Sequence, residues 1–238
     1  MSDALVIAGC LSGESGDAGV MALVDELGAA VGADVTLRAR TGGRPVGRSL
    51  PEVLVDLRER GARRAIVVTT HVADGRLQRE AAAAVRAAAS GFDELRLAPP
   101  LLADEKDLAA VARALDMALP ASPGRVTVLA GHRGAECEAA LARLEAALRD
   151  RGRGDVLVDT PERLSARVSS SSERQVLLAP FLMALGHHAI HDVLVELRAE
   201  LEGAGLDVAP WPHSLAELPA IRALVVDHAL CQLGTVPN

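Results

Sequence analysis

Thr127-Val128-Leu129-Ala130-Gly131-His132-Arg133-Gly134-Ala135-Glu136 is a short apolar run that ends at a glycine and opens into a helix-favouring segment. Leu5-Val6-Ile7-Ala8-Gly9, followed by Ser12-Gly13-Glu14, repeats the pattern at an offset of 122 residues (128 minus 6). A second pair follows each of these. Ala65-Ile66-Val67-Val68-Thr69-Thr70-His71 is matched by Val176-Leu177-Leu178-Ala179-Pro180-Phe181, and each leads into a loop with a glycine, Gly75 or Gly186. Apolar runs of strand length without polar alternation belong to parallel sheets buried on both faces.

Further strands are expected at Asp34–Leu37, Glu94–Leu97, Val156–Asp159 and Leu206–Ala209, giving four per half in the same order. Helical patterns lie between them. Met21, Leu23, Val24 and Leu27 share one face, as do Leu50, Val53, Leu54 and Leu57. Arg76–Ala89 is alanine-rich, and Leu108–Leu119, Ala135–Leu148, Ile190–Leu201 and Leu218–Leu233 complete the set. Ile190, Val193, Leu194, Leu197 and Leu201 read as one apolar stripe. Strands alternating with helices predict an α/β fold of two similar doubly wound domains, each a parallel sheet flanked by helices. Pro120-Ala121-Ser122-Pro123-Gly124 is the expected joint, dividing the chain into residues 1–121 and 122–238.

Composition removes several classes of function. Half of the 238 residues are hydrophobic and 24% are charged, as in a folded globular protein. Only Trp211, Phe92 and Phe181 are aromatic, and the net charge is −7, so neither base stacking nor phosphate-backbone binding is expected. Cys10, Cys137 and Cys231 are scattered, without a CxxC pair, which fits buried thiols in a reducing compartment. The N-terminus lacks a basic signal-like region, and no apolar run approaches the roughly 20 residues of a membrane span. A cytoplasmic protein is expected, and the sequence is compatible with a homo-oligomer.

In open α/β sheets, ligands bind beyond the carboxyl ends of the strands. Cys10, His71, His132, Asp159 and the His187-His188 pair all fall there, so facing domains would gather them in one cleft. Three of the seven histidines, His187, His188 and His191, stand at the start of one helix. Imidazole is the commonest protein ligand for borderline divalent metals. His187 and His191 have i,i+4 spacing and His188 and His191 i,i+3, but no HExxH glutamate is present, which argues against a metalloprotease. Each residue also has a plainer reading. His132 can be a loop histidine bonded to a carbonyl, Asp159 a turn residue before a helix, and Asp192 a charge suited to a helix N-terminus. Arg38, Arg40, Arg44 and Arg48 cluster in what reads as a Gly/Pro-containing loop, either solvated surface or a grip for ligand carboxylates.

Four ordered segments resemble the anaerobic cobaltochelatases that act on sirohydrochlorin, a class II chelatase family. Leu129 through Gly134 is similar to its Gly-His-Gly motif, and Pro180 through Asp192 to its Gly-Asp-His-Ala-x-Asn-Asp motif. Thr70 through Gly75 resembles its Pro-x-His-Ile-x-x-Gly segment, and Ser214 through Arg222 with His228 its C-terminal segment. The resemblance implies a lyase that inserts a divalent metal ion into a sirohydrochlorin-like tetrapyrrole. It puts the metal between His132 and His188, with Asp159 where the family has a glutamate ligand. Neutral imidazole at His132 or His188 is suited to accept the inner pyrrole protons near pH 7, which makes both candidate catalytic residues, and Cys10, His71, Arg133 and His187 are candidates for contact with the substrate at the strand ends. Cobalt is the implied ion, though histidine and carboxylate also suit Ni²⁺, Fe²⁺ and Zn²⁺, and no organic cofactor is implied. Arg133, His187 and His191 depart from the family pattern, which keeps open a non-catalytic protein that binds metal or tetrapyrrole.

Overall fold

The computed structural model describes residues 3–9, 17–42, 47–132, 134–170 and 172–234. Its strands form two parallel sheets of four. In the first, β1 (Asp3–Gly9), β2 (Val35–Arg40), β3 (Arg64–Thr69) and β4 (Glu94–Leu97) take the order β2-β1-β3-β4. In the second, β5 (Arg125–Ala130), β6 (Val156–Asp159), β7 (Gln175–Pro180) and β8 (Asp207–Pro210) take the order β6-β5-β7-β8. The two orders are the same once β5 is superposed on β1, so the expected repeat is real in three dimensions.

Strand alternation divides the apolar residues between three cores. Leu5 and Ile7 of β1 join Leu129, Leu177 and Ala179 in a core shared by the two halves. Ala4, Val6 and Ala8 face a core private to the first sheet, and Val126, Val128 and Ala130 one private to the second. Each sheet is thus covered on both faces, as parallel sheets require.

The helices are α1 (Ala18–Val31), α2 (Leu50–Glu59), α3 (Arg76–Ala88), α4 (Glu105–Ala118), α5 (Ala135–Asp150), α6 (Pro161–Ser169), α7 (Arg198–Gly203) and α8 (Pro219–Gln232). The helix α6 was not among the expected ones, since only Pro161, Leu164 and Val168 of its largely polar sequence are buried. A π-helix, His188–Leu197, precedes α7 without a break. Two helices reach across the joint. The helix α4 packs on α5 of the second half, and α8 packs between α1 and α4 over the first sheet. Arg222 of α8 pairs with Glu26 of α1 at 2.8 Å, and His228 Nε2 lies 2.9 Å from Asp107 Oδ1 of α4.

Two local expectations change. β2 runs on to Arg40, which pairs with Gly9, so Arg38 and Arg40 belong to an edge strand rather than to a loop. Ile190 leaves the apolar stripe and is 45% exposed. Ala189, Val193, Leu197 and Leu201, at strict four-residue steps, are the buried positions. The reason is the wider π-turn, closed by i→i+5 bonds.

Candidate active site

The carboxyl ends of both sheets open on one cavity of about 420 Å³. Arg38, Arg40, Arg48 and Arg76 line its first-half wall, and Met183, His132, His187 and His188 its second-half wall. Gly9 closes the floor at the end of β1, where a Cβ would fall 1.8 Å from Thr70 Oγ1. Three of the four arginines are occupied locally. Arg40 donates to the Gly42 and Gly47 carbonyls, Arg48 pairs with Asp56 and Arg76 with Glu80. Arg38 touches Met21 Sδ and has no carboxylate partner among the described residues.

His132 and His188 meet at the inner end of this cavity. Their ring centroids are 5.1 Å apart with the planes at 73°. The sequence brings them together because β5 and β7 are neighbours, with Ala130 opposite Pro180. His188 Nδ1 lies 2.6 Å from Asp192 Oδ2 one helical turn on. A carboxylate only accepts, so Nδ1 carries the proton and Nε2 keeps the lone pair, the arrangement found in metal-binding and proton-accepting histidines. A smaller cavity of about 100 Å³, walled by Pro161, Asp192 and Val193, lies on another side of the same histidine pair.

Burial pushes the His132 pKa down to about 4, with positive charge on His188 and His71 acting in the same direction and Asp192 opposing. The ring is neutral near pH 7, the form that ligates metals. His71 is held differently. Its Nδ1–H donates to Gln78 Oε1 and its Nε2 accepts from Thr41 Oγ1, both at 2.9 Å. Gln78 Nε2 donates to the Ala98 carbonyl, which fixes the amide orientation and with it the His71 tautomer. Burial lowers the His71 pKa as well. His71 stands between Thr70 and Val72 of the cavity wall, and both its nitrogens are engaged within the first half.

Asp159 is held by partners of its own. It sits at the carboxyl end of β6 as expected, but its Oδ2 accepts from Arg167 of α6 at 3.1 Å and its Oδ1 from the Thr160 N–H at 2.9 Å. Arg167 also pairs with Glu145, so the Asp159 carboxylate belongs to an ion-pair network on α5 and α6. Among the described residues no three His, Cys, Asp or Glu side chains are grouped to hold an ion. The carboxylate at the histidine pair is that of Asp192. His187 lines the cavity, while Cys10, Arg44 and Arg133 lie outside the described residues.

Two further carboxylates support the site, and no motif reveals the first of them. Asp17 caps α1 by accepting from the Gly19 and Val20 N–H groups, and its Oδ2 accepts from the Leu185 N–H at 2.8 Å. Its Oδ1 also accepts from Ser214 Oγ. One carboxylate thus ties the first half to the loop that delivers His187 and His188. Asp192 acts through its bond to His188; its four-residue spacing from His188 was the available signal.

Twin parallel sheets with a histidine pair between their carboxyl ends are the architecture of a two-lobed α/β chelatase. The family model for cobalt chelatase (CbiK) matches residues 46–232, and the chain belongs to that family. It is 28% identical over 149 residues to the sirohydrochlorin cobaltochelatase of Salmonella typhimurium, a match that covers 58% of this chain. The matched region spans 56% of the Salmonella protein, little more than half its length. The fold is similar to that of SirB, a sirohydrochlorin chelatase from Bacillus subtilis subspecies spizizenii solved in complex with cobalt, with a TM-score of 0.65 and 14% identity over 96% of this chain and 94% of that one. SirB from Bacillus subtilis with Fe³⁺ gives the same TM-score at 13% identity, over 98% of both chains. CbiX, from siroheme biosynthesis in denitrifying bacteria, gives 0.53 at 20% identity over 95% and 97%. No helix among the described residues is long and apolar enough to cross a membrane.

Proposed function

We propose that this protein inserts a divalent metal ion, cobalt foremost, into sirohydrochlorin in the cytoplasm. The observation that carries the reading is the placement of His132 and His188, 5.1 Å apart, at the inner end of an arginine-lined cavity. Its family and the activity of the Salmonella relative support the same substrate.

Arginines on one wall suit a macrocycle that carries peripheral carboxylates, and Arg38, without a carboxylate partner among the described residues, is available to form a fork-like pair. Insertion exchanges one M²⁺ for the two protons on the inner pyrrole nitrogens. Neutral His132 is poised to hold the incoming ion but, with a pKa near 4, is a poor keeper of a proton near neutral pH. His188, whose Nδ1–H is held by Asp192, is placed to accept it. Its Nε2 takes a proton while Asp192 balances the imidazolium, and the proton then leaves to water. Both protons can leave by this route in turn. Co²⁺, Ni²⁺, Fe²⁺ and Zn²⁺ all accept imidazole, so ion choice rests on supply as much as on the site.

The test incubates the purified protein with sirohydrochlorin and Co²⁺ and follows the absorbance change. His132→Ala and His188→Ala should each slow insertion about 100-fold or more, the range of a lost general base or ligand. Insertion by the wild type no faster than the spontaneous reaction overturns the proposal. Tight binding of tetrapyrrole without turnover would instead support a carrier role.

A further inference from the structure

His187 and His191 have no part in the reaction as derived. Both are exposed, and their rings stack at 4.3 Å between centroids with an interplanar angle of 31°. Neither imidazole has a hydrogen-bonding partner among the described residues. A helical i,i+4 histidine pair presents two neutral nitrogen donors to one ion, the arrangement that suits borderline divalent metals. The pair also connects inward. His187 lies 5.9 Å from His188, and His188 5.1 Å from His132, ring centre to ring centre. Four imidazoles therefore run from the exposed His191 to the half-buried His132, with steps of 4.3, 5.9 and 5.1 Å.

Electrostatics gives this row a purpose. Of the arginines on the cavity wall, Arg38 and Arg40 carry no carboxylate partner among the described residues, and their charge attracts an anionic macrocycle and repels a free dication. Once the macrocycle is seated, the cavity itself is blocked. Neutral imidazoles gather a cation by coordination, without a charge that would disturb the anion.

We propose that His187 and His191 form an acquisition site for a divalent transition-metal ion at the cavity rim, which hands the ion through His188 to His132. The destination of the ion rests on the insertion reading above; binding at the rim does not.

The test titrates Co²⁺, and separately Zn²⁺, into the metal-free full chain without tetrapyrrole, by calorimetry and by the cobalt visible spectrum. The wild type is compared with His187→Ala/His191→Ala and with His132→Ala/His188→Ala, each checked for folding by circular dichroism. The rim variant should lose one bound ion, while the inner variant keeps it. In insertion assays the rim variant should need about tenfold more Co²⁺ for its half-maximal rate, as for weakened metal affinity. His191→Asn, close in size, should reproduce the loss without disturbing His187. A rim variant that binds as many ions, as tightly, as the wild type overturns the proposal. So does an inner variant that binds none. If the wild type binds at the rim but inserts no metal, the insertion reading fails and the rim site stands.

Discussion

His132 shows how much of the chemistry is set by surroundings. An imidazole in the unfolded chain titrates near 6.5, and here burial takes it to about 4. Above pH 6.5 the ring is neutral in both states and contributes nothing to pH dependence. Between 6.5 and 4 the unfolded chain takes up a proton that the folded ring refuses, so the fold loses stability as pH falls, by about 3 kcal/mol at the bottom of the window. Urea melts of the metal-free protein from pH 7.5 to 4.5 should show this slope, and His132→Asn should flatten part of it. Asp192 makes a second prediction. Asp192→Asn removes the carboxylate that holds His188 Nδ1–H, and insertion should fall roughly 10- to 100-fold, with an altered pH profile of kcat/KM. The histidines themselves were legible, since imidazoles at strand ends of a parallel sheet mark a cleft. Asp192 was legible too, at the end of the motif that holds His188. The partner of Asp159 was not: Asp159 stands at an equivalent strand end, where Arg167 of α6 pairs with it, and no pattern in the sequence marks that pair.

Most elements could be read from apolar runs, because buried parallel strands carry little else. Their ends moved where pairing decided them, as when Gly9 held β2 extended to Arg40. The π-helix was the element least open to sequence reading. An α-helical period and the observed four-residue period differ by only 0.4 residue per step, too little to separate within two turns. The contact of α1 with the short 3-10 turn Leu215–Glu217 makes a prediction at this scale. A Cβ on Gly19 would lie 2.4 Å from Glu217 N and 2.5 Å from the Ala216 carbonyl carbon. Backbone cannot swing aside as a side chain can. Gly19→Ala should therefore destabilise the fold by about 1–3 kcal/mol, seen as a lower thermal midpoint, whereas Gly28→Ala, with its nearest atom at 3.6 Å, should not.

At the scale of the molecule, the repeat at offset 122 announced two equal sheets but not how their helices are shared. Which sheet a helix covers is decided by the shape of both surfaces, and α8 reads like any other amphipathic segment. Its buried Ile221, Val225 and Ala229 join the core that contains Leu23, Leu27 and Leu115 of the first half. A chain ending at residue 218 would leave that apolar surface open. It should bind a hydrophobic dye and lose its cooperative melt, and a fragment of residues 1–121 should do the same; a sharp unfolding transition in either would show that α8 is dispensable. During synthesis this arrangement has a temporal meaning. Every strand of the first half is made before the helix that seals it, so the nascent chain carries an unsealed flank until residues 219–232 have emerged. Docking of α8 then covers the first half, beside the Leu215–Glu217 turn that rests on α1.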